Sequence, residues 1–196
     1  MNFSFDADIV LENEMARLQP LRMEDSKNLL KVATEDKKLI RYSPAQIYNE
    51  EFLKEYISKS IRERKAGSRY SFSIFDKARN AYAGSTSFLN ISNADRRLEI
   101  GGTWIGKSFQ RTGLNRNCKF LLLAFAFDQL GAERVEFKTD ERNHASRTAI
   151  EKIGGQLEGV LRSHTVLPDG FRRNTVYYSI LKDEWNNLKS AFISTH

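Results

Sequence analysis

The residues most suited to chemistry fall between Glu99 and Arg147. Trp104-Ile105-Gly106-Lys107-Ser108-Phe109-Gln110-Arg111-Thr112-Gly113-Leu114-Asn115 reads as a strand, a tight loop and the opening of a helix. A helix start offers unpaired backbone N–H groups and the positive end of the macrodipole, so it seats a phosphate or pyrophosphate. Arg111, Arg116 and Lys119 add side-chain positive charge beside that seat. Upstream, alternation puts the carboxylate of Glu99 on the strand face opposite Leu98 and Ile100. Downstream, Asn143 is placed to cap a helix, with Ser146 three residues beyond it. The pattern predicts a phosphorylated cofactor.

One nucleotide reading comes from Gly101-Gly102-Thr103-Trp104-Ile105-Gly106-Lys107-Ser108, which satisfies a phosphate-loop pattern literally. Its context argues against an NTPase. Such a loop needs a flexible turn before its Gly-Lys pair, whereas Thr103-Trp104-Ile105 continues a strand. The helix should open at the Lys-Ser pair, yet Phe109 to Thr112 intervene.

The elements that must carry these residues are legible from periodicity. Glu12 to Arg22 can form a first strand, and Asp25 to Thr34 and Glu50 to Lys65 read as amphipathic helices separated by a loop from Leu39 to Tyr48. The period then changes to two. Tyr70 to Phe75, Tyr82 to Leu89 and Leu98 to Thr103 form three strands of an antiparallel meander. Leu114 to Leu130 is a helix ended by Gly131 and, apolar nearly all round from Phe120, it should be buried. Arg134 to Thr139 is another strand. The helix capped by Asn143 stops at Gly154-Gly155. Leu157 to Leu167 and Phe171 to Leu181 flank Pro168-Asp169-Gly170 as a terminal hairpin.

The 196 residues fit one domain with a sizeable core, and 40% apolar and 29% charged residues are ordinary for a folded protein rather than a disordered one. No run approaches a membrane span, and no secretory leader pattern opens the sequence. The single cysteine, Cys118, excludes an internal disulfide framework, suits a reducing compartment and reads as a packing residue. A cytoplasmic location is therefore expected. The net charge of +6 invites a nucleic-acid reading, but the basic residues interleave with acids, as in Lys27, Lys31, Glu35, Asp36, Lys37 and Lys38. A basic pocket for an anionic cofactor accounts for the excess, so nucleic acid is not the expected partner.

From Glu12 to about Leu188 the chain resembles the GNAT acetyltransferase superfamily, within it the branch of ribosomal-protein N-terminal acetyltransferases (RimJ/RimL-like). The resemblance rests on Glu99 to Ile105, on Gln110-Arg111-Thr112-Gly113-Leu114-Asn115, on Arg142 to Arg147 leading to Ile150-Glu151-Lys152-Ile153-Gly154, and on Asp169-Gly170. The family loop is Gln/Arg-x-x-Gly-x-Gly/Ala; Gln110, Gly113 and Asn115 hold its fixed positions, the asparagine departing from a small residue.

The resemblance implies an α/β (α+β) fold: a mixed, strongly twisted, mostly antiparallel sheet of seven strands flanked by about four helices, with splayed central strands forming an acyl-CoA cleft. It implies one N-acetyltransferase domain over residues 1–196, with its core at about 12–188. The cosubstrate would be acetyl-CoA, with no metal. Its pantetheine arm would bond main-chain groups near Trp104 and Ile105, and its pyrophosphate would rest on the amides of Arg111, Thr112, Gly113, Leu114 and Asn115. Asn143 would reach the pantetheine, and Arg147 and Lys152 the nucleotide phosphates.

A primary amine, of a protein N-terminus or a small molecule, would attack the thioester directly, with Glu99 as base and Ser146 helping the thiolate leave. The tyrosine that serves as acid in many relatives falls at Ile150, leaving Tyr177 or Tyr178 as substitutes if the fold brings one near. A homodimer is a family-level expectation. Other readings stay open: transfer of another acyl group such as succinyl, a non-catalytic acyl-CoA-binding module, or a ribosome- or RNA-associated module.

Overall fold

The computed structural model describes residues 1–193; residues 194–196 lie outside it. Eight strands form one sheet in the order β1-β2-β3-β4-β5-β6-β8-β7: β1 (Leu11–Glu12), β2 (Ala16–Pro20), β3 (Arg69–Asp76), β4 (Ala81–Ser92), β5 (Arg97–Ile105), β6 (Arg134–Asp140), β7 (Gln156–Val166) and β8 (Arg172–Leu181). All neighbours run antiparallel except β5 and β6. The helices are α1 (Asp25–Thr34), α2 (Glu50–Lys65), α3 (Leu114–Ala124), α4 (His144–Lys152) and α5 (Lys182–Ile193). The fold is the mixed, mostly antiparallel α/β sheet that the sequence predicts, with one strand more than expected.

The extra strand arises because Glu12 to Arg22 is not continuous. Asn13 folds back, its Oδ1 accepting from the amides of Met15 and Ala16, and this turn separates β1 from β2. The expected helix Leu114 to Leu130 is also broken. After Ala124 it widens into a π turn, Phe125–Gln129. Phe125 stacks on Phe88 of β4, while Phe127 stacks on Trp185 of α5. Asp128 binds Trp185 Nε1 at 2.9 Å and Lys189 Nζ at 2.8 Å.

The core fills the space around the two central strands. Leu98, Ile100, Val135 and Phe137 pack with Leu114, Cys118 and Leu122 of α3, all nearly inaccessible. Burial pushes the Cys118 thiol up to about 12, so it is inert packing. The terminal hairpin closes with Gly170 at φ +81°, its amide donating to the Leu167 carbonyl.

Candidate active site

The central parallel pair is short. Only Arg97 with Arg134, Leu98 with Val135 and Glu99 with Glu136 face each other; beyond them the strands part. From there β5 stays bonded to β4 and β6 to β8. The cause lies in β4 and β5, where Ser85 faces Trp104 but Ser87 faces Gly101. The surplus residue makes a bulge at Gly102, whose φ of +57° suits glycine. Gly84 lies so close to the Trp104 carbonyl that any Cβ there would collide with it. The parting strands leave a cleft of about 2120 Å³. The phosphate-loop-like string Gly101 to Ser108 is strand through Ile105, followed by the 3-10 turn Lys107–Phe109, so it forms no nucleotide-binding loop of the NTPase kind.

Glu99 stands at the fork itself, 6% exposed. Its Oε2 accepts from Asn90 Nδ2 at 2.7 Å and pairs with Lys138 Nζ at 2.8 Å. Oε1 meets no donor among the described residues and lies only 2.7 Å from where a Cβ on Gly101 would stand. Glycine at 101 thus makes room for the carboxylate. Burial alone would lower the Lys138 amine, but the hydrogen bond and charge of Glu99 outweigh it, and the amine is held above its ordinary value. Lys138 also lies over the Tyr177 ring at 4.8 Å. Nothing in the residue pattern points to Asn90 or Lys138, because their roles arise only from cross-strand pairing.

At the far end of the cleft the loop after β5 is tied down by its own side chains. Gln110 Nε2 donates to the Ile105 carbonyl at 2.9 Å, and Thr112 Oγ1 donates to the Phe109 carbonyl at 2.8 Å. Arg111 at φ +61° and Gly113 at φ +85° turn the backbone through left-handed conformations into α3. The amides of Arg111, Thr112, Gly113 and Asn115 donate to no acceptor among the described residues. Such a concave set of N–H groups at a helix start attracts anions. Gln110, Arg111 and Asn115 line the cleft with Trp104 and Ile105. Thr112 and Gly113 shape the loop, and Leu114 is buried in the core.

The opposite wall is the start of α4. Asn143 caps it, its Oδ1 accepting from the Ser146 amide at 3.2 Å. Asn143, Ser146 and Lys152 all line the cleft, and the Ser146 hydroxyl is bonded to nothing among the described residues. Arg147 is not brought to the cleft. Its guanidinium donates to Tyr178 Oη at 3.0 Å, and Tyr178 in turn donates to Glu151. That cluster also removes Tyr178 as a candidate acid, whereas Tyr177 lines the cleft.

Toward β8 the cleft is lined by Arg173, with Arg142 outside its lining. Arg173 donates to the Tyr42 carbonyl at 2.8 Å, linking the Leu39-to-Tyr48 loop to the hairpin. Arg142 lies over Phe171 at 3.8 Å and pairs with buried Asp140 at 2.7 Å. Burial would raise the Asp140 carboxyl, but hydrogen bonds from the Arg142 side chain and amide hold it below the ordinary range. Among the described residues no cluster of His, Cys, Asp or Glu could hold a metal, and no helix is long and apolar enough to cross a membrane.

The parallel pair thus parts beside a buried carboxylate, with a concave set of free loop amides at the far end of the cleft. The chain belongs to the acetyltransferase (GNAT) domain family, whose profile matches residues 16–156. It is similar to the Bacillus subtilis (strain 168) protein named "Putative ribosomal N-acetyltransferase YdaF", 35% identical over 106 residues. That stretch is 54% of this chain and 57% of the relative, so the chain spans little more than half of that relative's length. It is 26% identical over 178 residues to "Uncharacterized N-acetyltransferase YoaA" of the same organism, covering 88% of this chain and 97% of the relative. A solved GCN5-related N-acetyltransferase from Brucella melitensis superposes with a TM-score of 0.90 at 26% identity, covering 97% of this chain and 86% of the other.

Proposed function

We propose that the chain is a single N-acetyltransferase domain that moves an acetyl group from acetyl-CoA to a primary amine by direct attack in a ternary complex. The observation that carries this reading is Glu99 at the fork: buried, oriented through Oε2 by Asn90 and Lys138, with Oε1 left open to the cleft. Acetyl-CoA supplies the activated acyl group. The loop amides of Arg111 to Asn115 hold its phosphates, and the unpaired edge of β5 at Trp104 and Ile105 pairs with its arm. Asn143 and Ser146 face that arm from α4.

Glu99 Oε1 takes the proton that the attacking amine gives up, directly or through a water. An α-amino group, with an ordinary pKa near 7.7–8.0, needs only a modest base, whereas a lysine side chain near 10.4 needs a strong one. A base already paired with Lys138 fits the α-amino group of a protein N-terminus better. The ribosomal assignment in the name of the Bacillus relative points the same way.

The test is calorimetry with acetyl-CoA, succinyl-CoA and ATP–Mg²⁺, then a free-thiol assay with peptides that offer either an N-terminal or a lysine amine. Saturable acetyl-CoA binding and faster turnover of N-terminal amines are expected. Binding without turnover of any amine would overturn the catalytic reading.

A further inference from the structure

Two polar side chains on α3 face the cleft with unspent hydrogen-bonding capacity. Asn115 Oδ1 is buried and receives no donor. One helical turn later, Lys119 is 7% exposed and its Nζ, with three hydrogens to give, donates to Thr103 Oγ1 at 2.7 Å. Thr103 Oγ1 is itself shared with Thr86 Oγ1 at 2.8 Å. No carboxylate among the described residues pairs with Lys119, although buried ammonium groups are normally paired. Both residues line the cleft, alongside the stretch of β5 that has no strand partner on that side.

Resting on the acetyl-CoA reading above, we propose that Asn115 and Lys119 form a two-point seat for the amide groups of the pantetheine arm, Asn115 Oδ1 accepting a ligand N–H and Lys119 Nζ donating to a ligand carbonyl. Residues four apart on a helix rise about 6 Å and share one face. An arm with two amides separated by two methylenes presents N–H and C=O groups at intervals of that order. A phosphate suits the pair less well, because the lone pairs of Asn115 Oδ1 would repel it. The anion seat is made by backbone amides, of which the Asn115 N–H is the last, and by Arg111, and replacing the Asn115 side chain leaves those amides in place. Burial lowers the Lys119 amine to about 8, and a ligand carbonyl that accepts from it would favour its charged form. The asparagine that departs from the family's small residue thereby gains a role of its own.

The experiment is calorimetry of wild type, Asn115→Ala and Lys119→Met with two ligands: acetyl-CoA, and 3′-phospho-ADP, which carries the nucleotide and pyrophosphate without the arm. Each substitution is expected to weaken acetyl-CoA about fivefold or more, a typical loss for one hydrogen bond, and to leave 3′-phospho-ADP unchanged. Equal weakening of both ligands would make the pair a phosphate contact and overturn the proposal, as would no weakening of acetyl-CoA. Wild type that binds neither ligand would overturn the cosubstrate reading itself. Asn115→Ala decides independently of Lys119→Met, because it only installs a small residue at the start of a helix.

Discussion

Glu99 and Lys119 are both buried polar groups in one cleft, and they answer to different partners. Glu99 is oriented on one oxygen and open on the other, so Glu99→Gln keeps the shape and removes the proton acceptor. Turnover should fall at least tenfold with acetyl-CoA affinity unchanged; steady-state kinetics beside calorimetry checks this, and full activity would remove Glu99 from the mechanism. Lys119 carries a stability cost. Its amine lies near 8 when folded, below the unfolded value of about 10.4, so the unfolded chain binds more protons between those pH values. Stability therefore rises with pH through that window, and below pH 8 the cost is present in full. Lys119→Met should stabilise the protein at neutral pH by on the order of 2 kcal/mol, after allowing for the lost bond to Thr103. Thermal unfolding at pH 7 and pH 10 tests this, with the gain shrinking at the higher pH. A residue that costs stability and lines the ligand cleft fits a functional constraint.

At the scale of elements, the loop before α3 and the turn before α4 set the two ends of the cleft wall. A Cβ at Gly113 would find open space, yet its φ of +85° strains any other residue. Gly113→Asp should therefore cost about 1–2 kcal/mol in stability and abolish acetyl-CoA binding, since it adds an anion at an anion seat. Unchanged affinity would remove the loop from the site.

Asp140 joins the end of β6 to α4: its side chain holds Arg142 and its carbonyl accepts the Asn143 amide. With its folded pKa depressed, its contribution is present above about pH 4 and is lost as the pH falls through the folded value. Asp140→Asn should lower thermal stability at pH 7, and the difference from wild type should shrink as the pH falls through the folded value. These two turns were legible in the sequence because glycine and the Asn143 cap announce themselves locally. The break after Glu12 and the π turn were not, since the first depends on a side chain folding back and the second on where Phe88 and Trp185 stand. Glu99 could be read as a strand carboxylate, but its burial and its Lys138 partner come from neighbouring strands. The resemblance puts Arg147 at the nucleotide phosphates, whereas its guanidinium here donates to Tyr178, a partner that only the packing of α4 on β8 supplies.

Across the whole molecule, β1 to β5 form one half of the sheet and β6 to β8 the other, joined edge to edge by three residue pairs. Acetyl-CoA should fill the missing contact, so amides on the cleft edge between residues 100 and 105 are expected to exchange slowly with the ligand and fast without it. Hydrogen exchange with mass readout checks this, and equal protection in both states would place the ligand elsewhere. The short join also acts as a mechanical seam. Three rungs of hydrogen bonding are a weak weld between two stiff plates, and α3 braces it by packing against β1 and β2 of one plate and against α5, which follows the last strand of the other. Substitutions such as Leu122→Ala would then loosen the angle between the plates, changing the width of the cleft from a position that never touches a ligand.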